Sequence, residues 1–356
     1  MRNSRLLISR ICAGFFVVLL IPHGTLFAAP KTVWSLLQQA KSVSSTPDCG
    51  RNVSAVISAY RQVLTLSPKN EEARDMITGI SMACASELEL AESVDDVNRA
   101  RELSNLINTN FIDTLWRTGY KAKNGNKYAQ LTLGVYNRHG LLVKQPSIKK
   151  SCEFYKQAAE QGVAAASYRY SLCLANSNKN MAMKYNRQAA VSGHAAAQHL
   201  LGEYYLDGPE KNENEARIWL EKAAAQRRTG AQTLLGWLYA TGTGGDMDND
   251  KAAEMYLEAA KKNDPIAQNN LAELYEKNPD LAPMKDVVHW YGRAASQGLA
   301  VAQLNFGRLY AKGEGVQQND CKAMNFIEKA REKGLVEADK AHKWMIENGH
   351  TCRNNQ

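Results

Sequence analysis

The feature that most constrains this chain is a self-similarity that returns about every 35 residues. The segments 129-AQLTLGVYNRHG-140, 165-AASYRYSLCLAN-176, 197-AQHLLGEYYLDG-208, 231-AQTLLGWLYATGTGG-245, 267-AQNNLAELYEKN-278 and 301-VAQLNFGRLYAKGEGV-316 align with one another. Each is followed by a second helical stretch: 153-EFYKQAAEQG-162, 184-KYNRQAAVSG-193, 216-ARIWLEKAAAQ-226, 252-AAEMYLEAAKKN-263, 288-VHWYGRAASQG-298 and 328-EKAREKG-334. The aligned starts Gln130, Ser167, Gln198, Gln232, Gln268 and Gln303 stand 37, 31, 34, 36 and 35 residues apart. That period fits two helices of roughly twelve residues and two turns.

A two-helix unit cannot bury both sides of its apolar stripe alone, so such units stack. Four residues after each start stands a small residue: Gly134, Ser171, Gly202, Gly236, Ala272 and Gly307. Five copies carry an alanine pair in the second helix, among them Ala158-Ala159, Ala223-Ala224 and Ala294-Ala295, and the sixth has Lys329-Ala330. Small residues at crossing points let helix axes approach to the low end of the usual range of about 8–10 Å. Tyr205, Tyr239, Tyr275, Tyr310, Trp219 and Trp290 fall on the packed face and are expected to fill the space beside each crossing.

These copies resemble the Sel-one-like repeat family, a subclass of tetratricopeptide-like solenoids with the pattern A-x-A-Q-x-x-L-G-x-x-Y-x-x-G-x-G-V, a charged loop, and K-A-x-x-W-Y-x-x-A-A-x-Q-G. The copy 299-LAVAQLNFGRLYAKGEGVQQNDCKAMNFIEKAREKG-334 follows it nearly throughout. Only that copy has the full G-x-G-V turn, Gly313 to Val316. The fifth copy has 278-NPDLAP-283 in its place, and the second shortens the loop to 175-ANSNKNM-181. The resemblance covers 125–334 and implies an all-α fold, a right-handed α-solenoid of helix-turn-helix repeats. Proteins of this kind act as adaptors in envelope assembly, secretion and host interaction, so the resemblance implies a protein partner held on a concave face.

Flanking segments complete this organisation. In 59-AYRQVLTLSPKNEEARDM-76, which resembles the second helix and turn of an ordinary tetratricopeptide repeat, Pro68 stops one helix and Asn70 caps the next. A further helix is expected to start at Ser93, with Asp96 three residues on as a capping box. Residues 31–118 thus read as an N-terminal helical cap, and 335–356 as a closing helix and tail over the last repeat. At the start, Arg2, Arg5 and Arg10 precede an apolar run from Ile11 to Ile21, which Pro22 and Gly24 end, with Ala28 and Ala29 following. This is the layout of a signal peptide, residues 1–28, cleaved after Ala28. The run is well short of the roughly 20 apolar residues that span a bilayer. The mature protein is therefore expected to be periplasmic or secreted and not integral to the membrane.

Export makes disulfides the first reading of the six cysteines beyond the leader. Cys152 begins the second helix of the first copy and Cys173 lies late in the first helix of the next. The turn near Gly162 and Val163 sets them opposite each other, and a bridge there would stabilise by roughly 3 kcal/mol. Cys49 and Cys84 flank the hairpin around Pro68, less symmetrically, while Cys321 begins the last repeat's second helix and Cys352 follows the closing helix; proximity and exclusion suggest these two pairs and leave the connectivity beyond Cys152–Cys173 open. A zinc site at Cys321, His342, His350 and Cys352 is the rival, and its spacing matches no compact zinc motif.

Chemistry-bearing motifs are scarce. The chain has no nucleophile elbow, P-loop, H-E-x-x-H or dinucleotide fingerprint. His289 sits at a variable repeat position, and His194 and His199 are five apart, off a common helix face and better read as local polar contacts. No catalytic residue, cofactor or resident metal is expected, and a hydrolase is the least favoured reading. The charge pattern is sharper. From Thr114 to Cys152 there is no acid, while Arg117, Lys121, Lys123, Lys127, Arg138, Lys144, Lys149 and Lys150 supply eight positive charges against a net +8 for the whole chain. Tyr120, Tyr128 and Tyr136 are interleaved with them. Such a stretch is either a solvated basic linker or a surface for an acidic protein, anionic glycan or lipid headgroup, and nucleic acid is not expected for an exported chain.

Overall fold

The computed structural model describes residues 33–43, 49–50, 52–111, 114–350 and Cys352, with two short strands before them, Val18–Leu19 (β1) and Phe27–Ala28 (β2), paired antiparallel. The expected signal peptide and its cleavage site otherwise lie outside the described residues. The rest is helical, in two compact units, Met1–Ala83 and Cys84–Gln356. The first holds α1 (Val33–Val43), α2 (Val53–Leu66) and the beginning of α3 (Glu71–Ser93). Pro68 follows the end of α2, and the Asn70 carboxamide accepts from the amide of Ala73 at 2.9 Å to cap α3.

The second unit continues α3 into α4 (Val97–Asn110) and α5 (Leu115–Lys123). Six hairpins follow: α6 (Lys127–His139) with α7 (Ile148–Glu160), α8 (Ala164–Leu174) with α9 (Lys179–Val191), α10 (Ala195–Asp207) with α11 (Glu213–Ala225), α12 (Thr229–Thr241) with α13 (Asn249–Lys261), α14 (Pro265–Lys277) with α15 (Met284–Ser296), and α16 (Ala300–Lys312) with α17 (Asp320–Glu332). Helix α18 (Val336–Glu347) closes the stack. From α5 to α18 each helix packs on its sequence neighbours, which is the packing of an α-solenoid. The division between the two compact units falls inside α3, within the segment 31–118 expected as an N-terminal cap. One expectation needs correction, the helix start at Ser93. Ser93 ends α3 instead of opening α4, because Asp95 adopts a left-handed backbone (φ 62°) that stops the helix, and Asp96 itself caps α4 by accepting from Arg99.

Local sequence explains the hairpins. Ser147, Asn178, Asn212, Asp248 and Asn319 cap the second helices, each accepting from the backbone amide three residues on. The turn from each second helix to the next first helix needs a left-handed residue. Glycine supplies it at Gly162, Gly193, Gly298 and Gly334, while Arg227 (φ 65°) and Asn263 (φ 70°) are forced into it at the same place. Crossings are as close as the small residues suggest. A Cβ built on Gly236 would lie 2.7 Å from the ring of Tyr256, and one on Gly202 would lie 2.6 Å from Leu220. The alanine pairs are buried at the same contacts, and Tyr239 is buried, while Tyr205, Tyr275, Tyr310, Trp219 and Trp290 pack half-buried against the core clusters.

In four of the six repeats the opening glutamine fixes how one hairpin sits on the last. Its carboxamide nitrogen donates to an alanine carbonyl eight residues back: Gln130 to Ala122, Gln198 to Ala190, Gln268 to Ala260 and Gln303 to Ala295, at 3.1–3.3 Å. In three of these its oxygen accepts from the residue ending its own repeat's second helix: Gln161 to Gln130, Gln226 to Gln198 and Gln297 to Gln268, at 2.7–2.8 Å. Three helices are thereby tied through one buried side chain, and a buried amide left half-paired would cost about 1–3 kcal/mol.

Gly236→Ala should therefore lower stability by about 1–3 kcal/mol through the clash with Tyr256. Arg227→Gly should raise it by roughly 1 kcal/mol by relieving the left-handed backbone. Urea unfolding monitored by circular dichroism reads both, and the two variants are expected to move in opposite directions.

Candidate functional site

The last turns of α3 lie against the first helices of the array, held there by charge. Glu89 is fully buried on this side. One carboxylate oxygen accepts from the Tyr155 hydroxyl at 2.8 Å, and the other accepts from the Arg169 guanidinium on α8. Tyr155 belongs to α7 and reaches Glu89 by passing beneath Gly134, where any Cβ would meet its ring. Glu92, one turn further along α3, accepts from Arg138 on α6 at 2.6 Å and from Arg169, with His139 Nε2 at 3.3 Å. Beyond the helix end, Asp95 pairs with Arg228 and accepts from the Thr229 amide at 3.1 Å. Arg228 also donates to the carbonyls of Glu92 and Ser93. A cation thus caps the negative end of the α3 dipole.

Electrostatics follow from this arrangement. Burial alone would raise the Glu92 carboxyl, but Arg138, Arg169 and His139 outweigh it and hold the group below its ordinary value. Burial and the Glu89 charge push the Tyr155 hydroxyl well up. Burial pushes His194 down to about 3 and His199 to about 4, with Arg228 adding to both. Both histidines are neutral side chains inside the fold, as local polar contacts would be: His194 Nδ1 accepts from Ala197 and caps α10.

Glu89, Glu92 and His139 bring potential ligand atoms within 4.8 Å of one another. The donor set does not suit a divalent ion. Two guanidiniums and a phenol already occupy the carboxylate oxygens, and an added cation would meet the charge of Arg138 and Arg169.

Further along the same repeat face the surface is open. The residue after the small one is Val135 in the first repeat, where it is buried, and Trp237 in the fourth, where it is 41% exposed. Trp237 separates two pockets. One, of about 420 Å³, is lined by Leu206, Asp207, Thr233 and Ile266, and the other, of about 640 Å³, by Met247, Tyr256, Glu273 and Lys277. Asn270 lines both, and Asn269 links Asn270 to Asn305 of the next repeat through carboxamide hydrogen bonds at 3.2–3.3 Å.

With this geometry in hand, the chain can be set beside known proteins. The Sel1 repeat family matches residues 127–163, 195–227, 229–264, 265–277, 288–299 and 300–335. The chain is a Sel1-repeat protein. The copy with the shortened loop, 165–193, lies outside the matched segments, and the fifth copy matches in two pieces either side of 278-NPDLAP-283. A Sel1 repeat protein from Oxalobacter formigenes is 26% identical, with a TM-score of 0.52, over 68% of this chain and 96% of that one. A protective antigen present in uropathogenic Escherichia coli strains shares the fold at 19% identity and a TM-score of 0.52, over 90% of this chain and 83% of that one. Chitin synthase regulatory factor 3 of Schizosaccharomyces pombe is 26% identical over 264 residues, 69% of this chain. This chain spans only 28% of that relative's length.

The Sel1 array distributes the residues singled out in the sequence unevenly. Arg138 is not a surface cation, because Glu92 and Glu89 hold it against α3. Tyr136 is not part of an aromatic surface either, being fully buried. Lys123, Lys144, Lys149 and Lys150 are exposed, Lys127 lies over the Tyr128 ring at 5.4 Å, and exposed Tyr120 stacks on Trp116. Arg117 and Lys121, on α5, are half-buried. Cys152 and Cys173 form a disulfide with Cα atoms 6.0 Å apart, as do Cys321 and Cys352 at 4.5 Å. Cys49 and Cys84 are both buried. At the C-terminal end, His342 lies 3.3 Å from Glu328 and His350 lies 3.1 Å from Asp320. With both cysteines bonded to each other, no thiolate is left for zinc.

The acidic face of α3 and Arg169 escaped the sequence reading, though a signal existed. Between Arg74 and Arg99 there is no basic residue and there are six acids, the complement of the acid-free stretch at 114–152.

Arg169→Met should cost about 3–5 kcal/mol, since it leaves Glu89 buried without its cation. Adding Glu89→Gln should recover part of that loss in urea unfolding. A second outcome concerns pH. The unfolded histidines titrate near 6.5 and the folded ones at about 3 and about 4, so the unfolded state binds more protons between those values. Stability is complete above pH 6.5 and falls on acidification, by roughly 1 kcal/mol per pH unit for each histidine. His194→Asn with His199→Gln should flatten the slope between pH 6.5 and 5, and an unchanged slope would contradict the assignment.

Proposed function

We propose that this Sel1-repeat protein is an exported, non-enzymatic binding scaffold whose partner is a protein segment lying across α12 and α14 at Trp237. Sel1 repeats generally mediate protein–protein interaction, which gives the class of activity. The observation that carries the location is the half-exposed indole of Trp237 between two pockets that share Asn270. Buried aromatic anchors dominate interface energetics, and a Trp set among Ile266, Leu206 and the Asn269–Asn270–Asn305 carboxamides offers apolar anchorage with hydrogen bonds beside it.

Export is supported by Arg2, Arg5 and Arg10 before the apolar run and by the even number of cysteines in the mature chain. A setting in the periplasm or at the cell exterior follows from that reading. The name of the fission-yeast relative, a regulatory factor, is consistent with action through a partner.

Affinity purification of the tagged mature protein from envelope extract is the test. Trp237→Ala should weaken the captured partner by tenfold or more, corresponding to about 2 kcal/mol at an interface hot spot. Thermal unfolding should change little, since the indole is half-exposed. Full retention of the partner by this variant would refute the assignment of the face.

A further inference from the structure

The geometry points to the acidic end of α3 as a built-in occupant of the array, seated on a receptor for an acidic helix end that a partner supplies in exchange. This rests on the reading of the array as a protein-binding face and adds the chemistry of what its first repeats take.

The receptor is built by three repeats. Arg138 comes from α6, Arg169 from α8, and Arg228 from the residue that precedes α12. What they hold has a definable form: carboxylates at positions 89 and 92, one turn apart on a single helix face, then two open carbonyls at the helix end, then Asp95 just past it. Every one of these contacts is a charge-assisted or ordinary hydrogen bond. A guanidinium that reads both a helix C-terminus and the carboxylate following it is specific for a helix that ends there.

Two properties make the contact exchangeable. Buried ion pairs return little net stability, because desolvation consumes most of the attraction. The seat is also incompletely paired. Among the described residues, Ser93 Oγ, Arg228 Nε, His194 Nε2 and His199 Nε2 are buried without hydrogen-bond partners, the Glu203 carboxylate standing 3.7 Å from His199 Nε2. Arg228 joins them: it donates to the Ser93 carbonyl, and its charge acts on both histidines. Each unmet group carries a desolvation cost of order 1–3 kcal/mol. A helix end whose side chains satisfy those groups while its carboxylates hold the same arginines competes for this seat. Displacement would free Arg138, Arg169 and Arg228, from α6, α8 and the start of α12.

The probe is a fluorescein-labelled peptide with the sequence of residues 85–96, read by fluorescence polarisation against the full mature protein. The Glu89→Gln, Glu92→Gln, Asp95→Asn triple variant loosens the resident segment and should bind the peptide at least tenfold more tightly than the unaltered protein. The gain should vanish when Arg169→Ala and Arg228→Ala are added, and a peptide with its acids changed to amides should not bind. No gain in a triple variant that still melts cooperatively overturns the proposal, as does equal binding of acidic and neutralised peptides. If the triple variant does not fold, hydrogen exchange on the unaltered protein decides. Millimolar acidic peptide should speed exchange at the amides of residues 88–94, and unchanged exchange overturns the proposal. Trp237→Ala should leave the peptide result intact, which separates failure here from failure of the Trp237 assignment.

Discussion

The array depends on how closely paired helices approach at the residue four past each repeat start. Gly134, Gly202, Gly236 and Gly307 each leave no room for a Cβ, because a side chain of the partner helix occupies that space: Tyr155, Leu220, Tyr256 and Ile327. Where the crossing side chain is tyrosine, its ring is buried beneath the first helix while its hydroxyl emerges on the repeat face. Tyr155 meets Glu89 there, and Tyr291, at the equivalent place in the fifth repeat, meets Glu276 at 2.8 Å. A packing rule therefore sets the chemistry of the surface. The glutamine bridges then hold successive hairpins in register, so that side chains from separate repeats can act together.

Arg138, Arg169 and Arg228 depend on that register. They are spread over 90 residues of sequence and converge on one helix end. The energetic logic is not simple stabilisation. Glu89 is fully buried, and its worth lies in the penalty for leaving it unpaired, which makes one placement of α3 far better than neighbouring ones. The consequence is a divided face. Charge secures the part near α6 and α8 to the chain's own helix, while the part at α12 and α14 presents an indole and carboxamides to solvent.

Much of the architecture was legible in the sequence, because its causes are local or periodic. The period, the small residues at crossings and the alanine pairs report helix packing directly, and Pro68 and Asn70 mark a helix boundary by their own chemistry. Ser93 misled because a serine with an acid three residues on resembles a helix start, whereas the real stop is Asp95 in a left-handed conformation with no glycine or proline to announce it. Arg227 and Asn263 are hidden in the same way, since they fill a turn position that glycine marks elsewhere. The charge site was half visible. The acid-free stretch stood out, but which of its cations face inward is decided by tertiary contact with α3, and only the complementary base-free stretch at 75–98 hinted at it. Trp237 resembled the other aromatics on the helix stripe, and its position directly after the small residue leaves it 41% exposed.

Hydrogen–deuterium exchange of the unliganded mature protein bears most directly on the central claim, that the end of α3 is an integral part of the repeat face. Amides of residues 88–93 should be protected as strongly as those in the middle of α8 and α12, and protection should fall sharply in Arg169→Met. Exchange of 88–93 as fast as that of an exposed helix end, with α8 and α12 still protected, would contradict the account.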